Sequence, residues 1–141
     1  MRSITWIIGF VLIVVSISCD NDFNQYQTFI NGNWNGVETI NGKPDTLSVL
    51  NYNFNESGRA LLVICKTNAT KASGVDTISI NTGTYSLYGS KLIAKTSYSV
   101  SGNIRESMLE ATVLFLKSDS MVLETIDGFK RTRISTFKKI Y

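Results

Sequence analysis

The residues of this chain that could do chemistry are its two cysteines and its carboxylates, because the sequence contains no histidine. Without histidine, no Ser-His-Asp or Cys-His nucleophile can form, and histidine-dependent zinc sites are excluded. Two carboxylates can hydrolyse a glycoside, but Glu106, Glu110 or Glu124 would have to turn inward to do so. The acidic residues mostly lie in turns or on alternating outer positions, where no apolar setting would raise a pKa. We therefore expect no enzyme, with no catalytic residue, metal or cofactor.

Cys19 closes an N-terminal run in which Arg2 supplies a charge and Ile4–Val15 is mostly apolar. This run is shorter than the roughly twenty residues that span a bilayer, and no basic cluster follows it. Together with Ile17-Ser18-Cys19, the arrangement resembles a bacterial lipoprotein signal peptide. The resemblance implies a signal peptide over residues 1–18, cleavage before Cys19, and acylation of the Cys19 thiol and amine. An uncleaved signal anchor is the alternative.

The mature chain, residues 19–141, is long enough to bury one core, and no change in composition marks a second domain. We expect a lipidated tether over residues 19–28 and a single domain over residues 29–141. With Cys19 acylated, Cys65 has no disulfide partner, and its apolar neighbours indicate a buried, unreactive thiol. The net charge of +3 is too small to indicate nucleic-acid binding.

The segment Asp20-Asn21-Asp22 directly after the acylated position bears on where the protein is sorted. Acidic residues there resemble the surface-export signals of some bacteria, whereas in others an aspartate at the second position retains a lipoprotein at the inner membrane. We expect a cell-envelope protein held on the outer membrane by its lipid anchor, on either the periplasmic or the surface face.

Apolar residues of the mature chain recur with a period of two between turn signals, which is typical of antiparallel strands. The predicted strands are Gly32–Ile40, Thr46–Phe54, Arg59–Thr67, Val75–Ile80, Thr84–Tyr88, Lys91–Val100, Ile104–Leu116, Met121–Ile126 and Phe129–Ile140. So many short connections predict an all-β, up-and-down meander, and closing eight or more strands into a small antiparallel β-barrel removes both unpaired edges. We expect the polar loop 68–74 at one rim and a short helix within residues 23–30 at one end.

The stretch Ile30-Asn31-Gly32-Asn33-Trp34 resembles the Gly-x-Trp opening of lipocalins. Further landmarks follow in the order and spacing of small lipocalin-like lipoproteins of Gram-negative bacteria: Tyr52–Gly58, Gly83–Leu92, Leu116–Glu124 and Thr136–Ile140. The resemblance covers nearly all of the mature chain and implies a lipocalin-like barrel. It also implies that an arginine of the last strand, Arg131 or Arg133, packs on Trp34 at the closed end as a folding feature. Solvent-facing arginines are the alternative.

The inward alternation predicts which side chains would line a lumen. These candidates are Leu50, Tyr52, Phe54, Leu62, Tyr85, Leu92, Tyr98 and Phe115. Their mixture of tyrosine and apolar residues suits a small hydrophobic ligand, but the same side chains would serve equally as a filled core. We expect a non-enzymatic protein that binds or transports a small hydrophobic molecule. The alternative is an interaction module with a filled barrel, such as an inhibitor or accessory subunit of an envelope complex.

Three Asp-Ser/Thr-apolar triplets resemble the O-glycosylation signal that some Gram-negative bacteria use on exported proteins. The acceptors would be Thr46, Thr77 and Ser120. Each triplet has another explanation, in which aspartate ends a turn, the hydroxyl residue begins a strand and the apolar residue points inward.

Overall fold

The structure is a computed structural model that describes residues 26–67, 70, 72 and 74–141, without the side chains of residues 46, 47 and 75. The predicted signal peptide, the acylated Cys19, the Asp20-Asn21-Asp22 segment and most of the tether lie outside the described residues. Among the residues that are described, no helix is long and apolar enough to cross a bilayer.

A short helix, α1 (residues 26–30), precedes the strands. The strands are β1 Gly32–Ile40, β2 Lys43–Phe54, β3 Arg59–Thr67, β4 Val75–Tyr88, β5 Lys91–Val100, β6 Asn103–Leu116, β7 Ser120–Ile126 and β8 Thr132–Ile140. Each strand pairs antiparallel with the next in the chain, and β1 pairs with β8, so the sheet closes into a barrel. The predicted all-β, up-and-down barrel is therefore confirmed.

The two ends of the barrel differ in how they are covered. At the closed end lie α1, the β2–β3 and β4–β5 turns, and the β6–β7 turn. At the open end lie the β1–β2 turn, the β3–β4 connection, the β5–β6 turn and the β7–β8 turn. The predicted helix near residues 23–30 is present over residues 26–30, where Tyr26 and Phe29 pack against the core and Ile30 is fully buried.

One predicted turn is wrong. Asn81-Thr82-Gly83 was expected to separate two strands, but it lies inside the continuous strand β4. The amide of Asn81 points inward and donates hydrogen bonds to Leu62 O (3.3 Å) and Ser79 Oγ (3.0 Å). Gly83 lies where the backbone of β5 at Lys95 approaches too closely for any side chain. These residues therefore serve contacts within the sheet, and the barrel has eight strands where nine were predicted.

The start of the last strand also differs from the prediction. Phe129 was placed in this strand but lies in the β7–β8 turn, and β8 begins at Thr132. The carboxylate of Asp127 accepts hydrogen bonds from the backbone N–H groups of Phe129 (2.9 Å) and Arg131 (3.0 Å). This local capping holds the backbone in a turn and delays the strand.

The closed half of the lumen is filled by side chains. Seven side chains are essentially inaccessible to solvent: Trp34, Phe54, Phe137, Ile30, Leu92, Met121 and Leu123. Gly36 makes room for one of them, because a Cβ at this position would lie against the Phe137 ring. The Phe137 ring lies 4.9 Å from the Tyr52 ring between centroids. An eight-stranded barrel is just wide enough for its side chains to fill, and here they do so at the closed end.

Candidate functional site

Trp34 and Lys139 cap the closed end. The Trp34 indole donates a 2.7 Å hydrogen bond from Nε1 to Ile30 O. Lys139 Nζ lies 4.9 Å from the Trp34 ring centroid and donates to Phe29 O at 3.0 Å, so both groups satisfy carbonyls of α1. Gly32 adopts φ +130°, and a Cβ there would lie 2.8 Å from Lys139 Cε. The Gly-x-Trp stretch therefore has a structural role at this end.

The prediction that an arginine of the last strand packs on Trp34 is wrong, because Lys139 occupies that place. Arg133 lies at the other end of β8, where Nη1 is 2.9 Å from Glu38 Oε1 and Nε is 3.1 Å from Asp127 Oδ2. Arg131 precedes β8, and its Nε lies 2.8 Å from Asp127 Oδ2. The two arginines are thus neither over the tryptophan nor simply solvent-facing, since both bind carboxylates at the open end.

Glu38 is a buried charge that sequence reasoning missed. It shares the inward alternation of Trp34 and Gly36 along β1, and this pattern was the signal that could have found it. Asp127 completes the cluster with Arg133. The backbone N–H of Arg131, followed by the side chains of Arg131 and Arg133, holds the pKa of Asp127 at about 2. Burial raises the pKa of the Tyr52 hydroxyl well above its usual range, and the negative charge of Glu38 raises it further.

Most predicted lumen residues do face the inside of the barrel. Five are buried: Leu50, Tyr52, Phe54, Leu62 and Leu92. Tyr85 and Tyr98 are half-buried on the same face.

Phe115 is the exception. It is 39% exposed on the outer surface, because a bulge between Val113 and Phe115 reverses the alternation there.

The lumen is lined by apolar side chains at the closed end and by polar side chains nearer the open end. Four polar side chains are buried towards the open end: Glu38, Asn81, Thr96 and Ser135. Within the described part of the chain, every buried side-chain nitrogen or oxygen has a hydrogen-bond partner. A filled apolar base under a satisfied polar layer resembles a folded core more than a site for a large hydrophobic guest.

At the open end of the barrel, the β5–β6 hairpin separates from its neighbouring strands β4 and β7. β5 pairs with β4 only up to Ser97, opposite Thr82, and β6 pairs with β7 only from Thr112 onward. Among the described residues, 98–100 of β5 therefore pair only with β6, and 103–111 of β6 pair only with β5. We call residues 98–111 the ribbon. Residues 103–108 of the ribbon are all exposed.

Clefts lie on both sides of the ribbon. The cleft on the β4 side has a volume of about 690 Å³ and is lined by Ile64, Thr77, Ile78, Ser79, Ile80, Asn81, Tyr98, Ser99, Val100 and Ser107. The cleft on the β7 side has a volume of about 490 Å³ and is lined by Ser90, Lys91, Glu110, Ala111, Thr112, Glu124, Thr125 and Ile126. The ribbon and these two clefts form the candidate site.

Large apolar side chains are exposed on the ribbon and beside it, as they are at other places on the surface such as Phe129 and Tyr141. Ile104 is 79% exposed and Met108 59%, and Val100 is also exposed. Ile78 and Ile80 on β4 are likewise more than half exposed. A neighbouring group of large exposed apolar side chains is typical of an interaction surface.

The three carboxylates considered for catalysis lie on this same outer surface. Glu106 and Glu110 are exposed, Glu124 is half-buried, and Lys91 Nζ lies 3.6 Å from Glu110 Oε1. Within the residues that the structure describes, no three histidine, cysteine, aspartate or glutamate side chains are grouped so as to hold a metal ion.

The remaining predicted residues lie apart from the candidate site or at its margin. Cys65 is buried, as predicted, with Sγ 3.9 Å from both Asn51 Nδ2 and Thr77 Oγ1. Thr77 is exposed within β4, and the side chain of Thr46 is outside what is described. Ser120 begins β7, and its hydroxyl donates to Asp119 Oδ1 at 2.8 Å. This placement agrees with the turn-and-strand explanation for Ser120, and glycosylation stays a prediction.

Comparisons with protein-family models, with curated proteins and with solved structures each gave no match to this chain.

Proposed function

We propose that this chain is a non-enzymatic lipoprotein of the bacterial outer membrane, anchored through Cys19. In this proposal the lipocalin-like barrel is a protein-interaction module, such as an inhibitor or accessory subunit of an envelope complex. The observation that carries the proposal is the combination of a filled closed half of the lumen with an exposed ribbon at the open end that presents Val100, Ile104 and Met108 among polar residues.

The filled lumen argues against carriage of a large hydrophobic molecule. Trp34, Phe137, Met121 and Leu123 occupy the space that such a guest would need. Emptying it would require these side chains to leave a packed core, at a cost of about 2 to 5 kcal/mol for each large residue. The binding energy of a small ligand would have to exceed that cost.

The ribbon lies outside the continuous strand pairing that closes the barrel, so the packing of the barrel does not explain it. A two-stranded hairpin without further partners is marginally stable by itself, and a soluble domain gains little by exposing Ile104 and Met108 on one. Burial of such side chains against a partner stabilises a complex by about 25 cal/mol for each Å² of apolar surface removed from water, before the costs of association. This favours a partner at the open end.

A second function has its own supporting observation, the 690 Å³ cleft between β4 and β5. This volume lies within the range of small-molecule sites, and Ile64 and Tyr98 line it together with the hydroxyls of Ser79 and Ser107. A small amphipathic ligand would bind there, at the open end of the lumen between β4 and β5.

Site-specific photo-crosslinking of the full-length lipoprotein in its host tests the interaction. We expect a crosslinker at Ile104 to give an adduct of defined mass. The same crosslinker at Val37, which is 56% exposed on β1, should give none. Equal adducts from both positions, or none from Ile104, would contradict the proposal. Native mass spectrometry of the purified protein tests the alternative, because a stoichiometric small molecule would favour the cleft as the site.

A further inference from the structure

We infer that the edge of β6 over residues 103–111, which no described strand pairs with, accepts an extended strand from a protein partner, and that this strand alternates basic and apolar residues on its outer face. The inference rests on the proposed interaction at the open end and specifies its mode. It draws on three observations: the backbone of the ribbon, the side chains along β6, and the poor match of this edge to a second copy of itself.

The β5–β6 turn determines which backbone groups point outward. Ser101 and Gly102 both have positive φ, 51° and 81°, which is the two-residue type I′ hairpin turn. Val100 and Asn103, which flank such a turn, form a hydrogen-bonded pair, and the pairs then alternate along the ladder. Ile104, Glu106, Met108 and Glu110 therefore direct their N–H and C=O groups away from β5.

These outward groups face the side where β7 would continue the sheet. In the described chain, β7 pairs with β6 only from Thr112, so residues 103–111 have no hydrogen-bonded strand on this side, and Thr125 and Ile126 of β7 lie across a cleft from Glu110 and Ala111. A row of outward N–H and C=O groups is a template for a further strand, and many peptide-binding proteins use it in this way. The cleft on the β7 side, where Ile126 is 71% exposed, continues this edge towards the barrel.

The side chains along this edge define the chemistry of the added strand. The residues with outward backbone groups also place their side chains on the outer face, in the order Ile104, Glu106, Met108, Glu110. Residues directly opposite one another on neighbouring strands contact, and opposite charges or apolar pairs stabilise the ladder. An antiparallel partner would therefore place lysine or arginine opposite Glu106 and beside the exposed Glu110–Lys91 pair, and valine or isoleucine opposite Met108 and Ile104.

A second copy of this chain matches the edge poorly. Antiparallel self-pairing centred on Glu106 or Met108 would place glutamate directly opposite glutamate. Self-pairing centred on Arg105, Ser107 or Leu109 would place a glutamate opposite Ile104 or Met108. Like charges opposite each other, or a carboxylate against an apolar side chain, weaken a ladder. The charges therefore favour a different chain with basic residues.

A peptide of the predicted pattern tests the inference directly. We would label acetyl-Lys-Thr-Val-Thr-Lys-Thr-Val-amide and measure its binding to the detergent-solubilised, full-length lipoprotein by fluorescence anisotropy at low salt. We expect saturable binding and slower amide exchange over residues 103–111. The same peptide with glutamate in place of lysine should bind at least tenfold more weakly.

Two proline variants test the edge. Met108→Pro removes an N–H that points to the partner and leaves the β5 ladder bonds intact, because Met108 lies in a non-hydrogen-bonded pair with Lys95. Ser99→Pro removes an outward N–H from the opposite edge of the same ribbon. We expect Met108→Pro to weaken peptide binding about tenfold or more and Ser99→Pro to change it less than about twofold. Circular dichroism checks that both variants fold.

Charge reversal supplies a test without proline. Glu106→Lys should weaken binding of the basic peptide about threefold or more and strengthen binding of the acidic peptide. Equal binding of the two peptides, no binding, or a larger loss with Ser99→Pro than with Met108→Pro would overturn the inference. So would a dimer that Met108→Pro dissociates. If peptide binding fails but crosslinking at Ile104 persists, the interaction at the open end stands and only strand addition is refuted.

Discussion

Replacing Arg133 by methionine removes the only guanidinium that, in the described structure, bridges Glu38 and Asp127. The Glu38 side chain is 9% exposed and that of Arg133 is 29% exposed. Removing one partner of a fully buried ion pair costs about 3 to 5 kcal/mol, because the other charge is left without compensation. Since nearly a third of Arg133 reaches solvent, we reduce this to about 2 kcal/mol.

Urea denaturation of the purified protein measures this loss in the free energy of unfolding. In a separate thermal denaturation, we expect the midpoint to fall by about 10 °C for a domain of this size. Glu38→Gln keeps a hydrogen-bond acceptor for Arg133, so we expect it to cost about 1 kcal/mol. In the double variant the uncompensated carboxylate is gone. The double variant should therefore lose less free energy of unfolding than the sum of the two single variants, by about 1 kcal/mol or more. Additive costs, or a loss below about 0.5 kcal/mol for Arg133→Met, would refute the reasoning.

Three further outcomes follow from the packing and the charges. The folded pKa of Asp127, about 2, is below its ordinary value of 3.8, so its contribution to stability is present above pH 4 and lost as pH falls through 2. The thermal midpoint should fall over this range, and less steeply in Asp127→Asn. Gly36→Ala should cost about 1 to 3 kcal/mol in urea denaturation because its Cβ meets the Phe137 ring. Gly128→Ala, whose Cβ would meet open space, should cost less than about 0.5 kcal/mol. The Cys65 thiol, 6% exposed, should react with a thiol reagent only after unfolding; fast labelling of the native protein would contradict its burial.

The strands were predictable because their signals are local. The period-two alternation and the turn residues predicted seven of the eight strands near their observed positions, and the inward phase of Leu50, Tyr52 and Phe54 follows from the same alternation. Closure was also predictable in outline, since a long meander with two unpaired edges is unfavourable in water. The candidate lumen residues were therefore mostly correct.

The errors arose where a distant part of the chain decides the outcome. Residues 81–83 continue the strand because Asn81 donates a hydrogen bond to Leu62 O on β3 and Gly83 lies against the backbone of β5. The residues next to them in the sequence do not indicate either contact. The orientation of Phe115 depends on a single bulge opposite β7, because one extra residue reverses every side chain beyond it. Similarly, Lys139 and not an arginine packs on Trp34, because the β1–β8 register places these two residues opposite each other.

The sequence by itself determined the fold class, the apolar phase of most strands and, through the absence of histidine, the histidine-dependent reactions that are excluded. Only the tertiary structure decided that Glu38 meets Arg133, that side chains fill the closed half of the lumen, and that residues 103–111 of β6 pair only with β5. The physical reason is that alternation and turn chemistry act between adjacent residues. Register, bulges and strand length relative to a neighbour are set by pairing between segments that lie far apart in the chain.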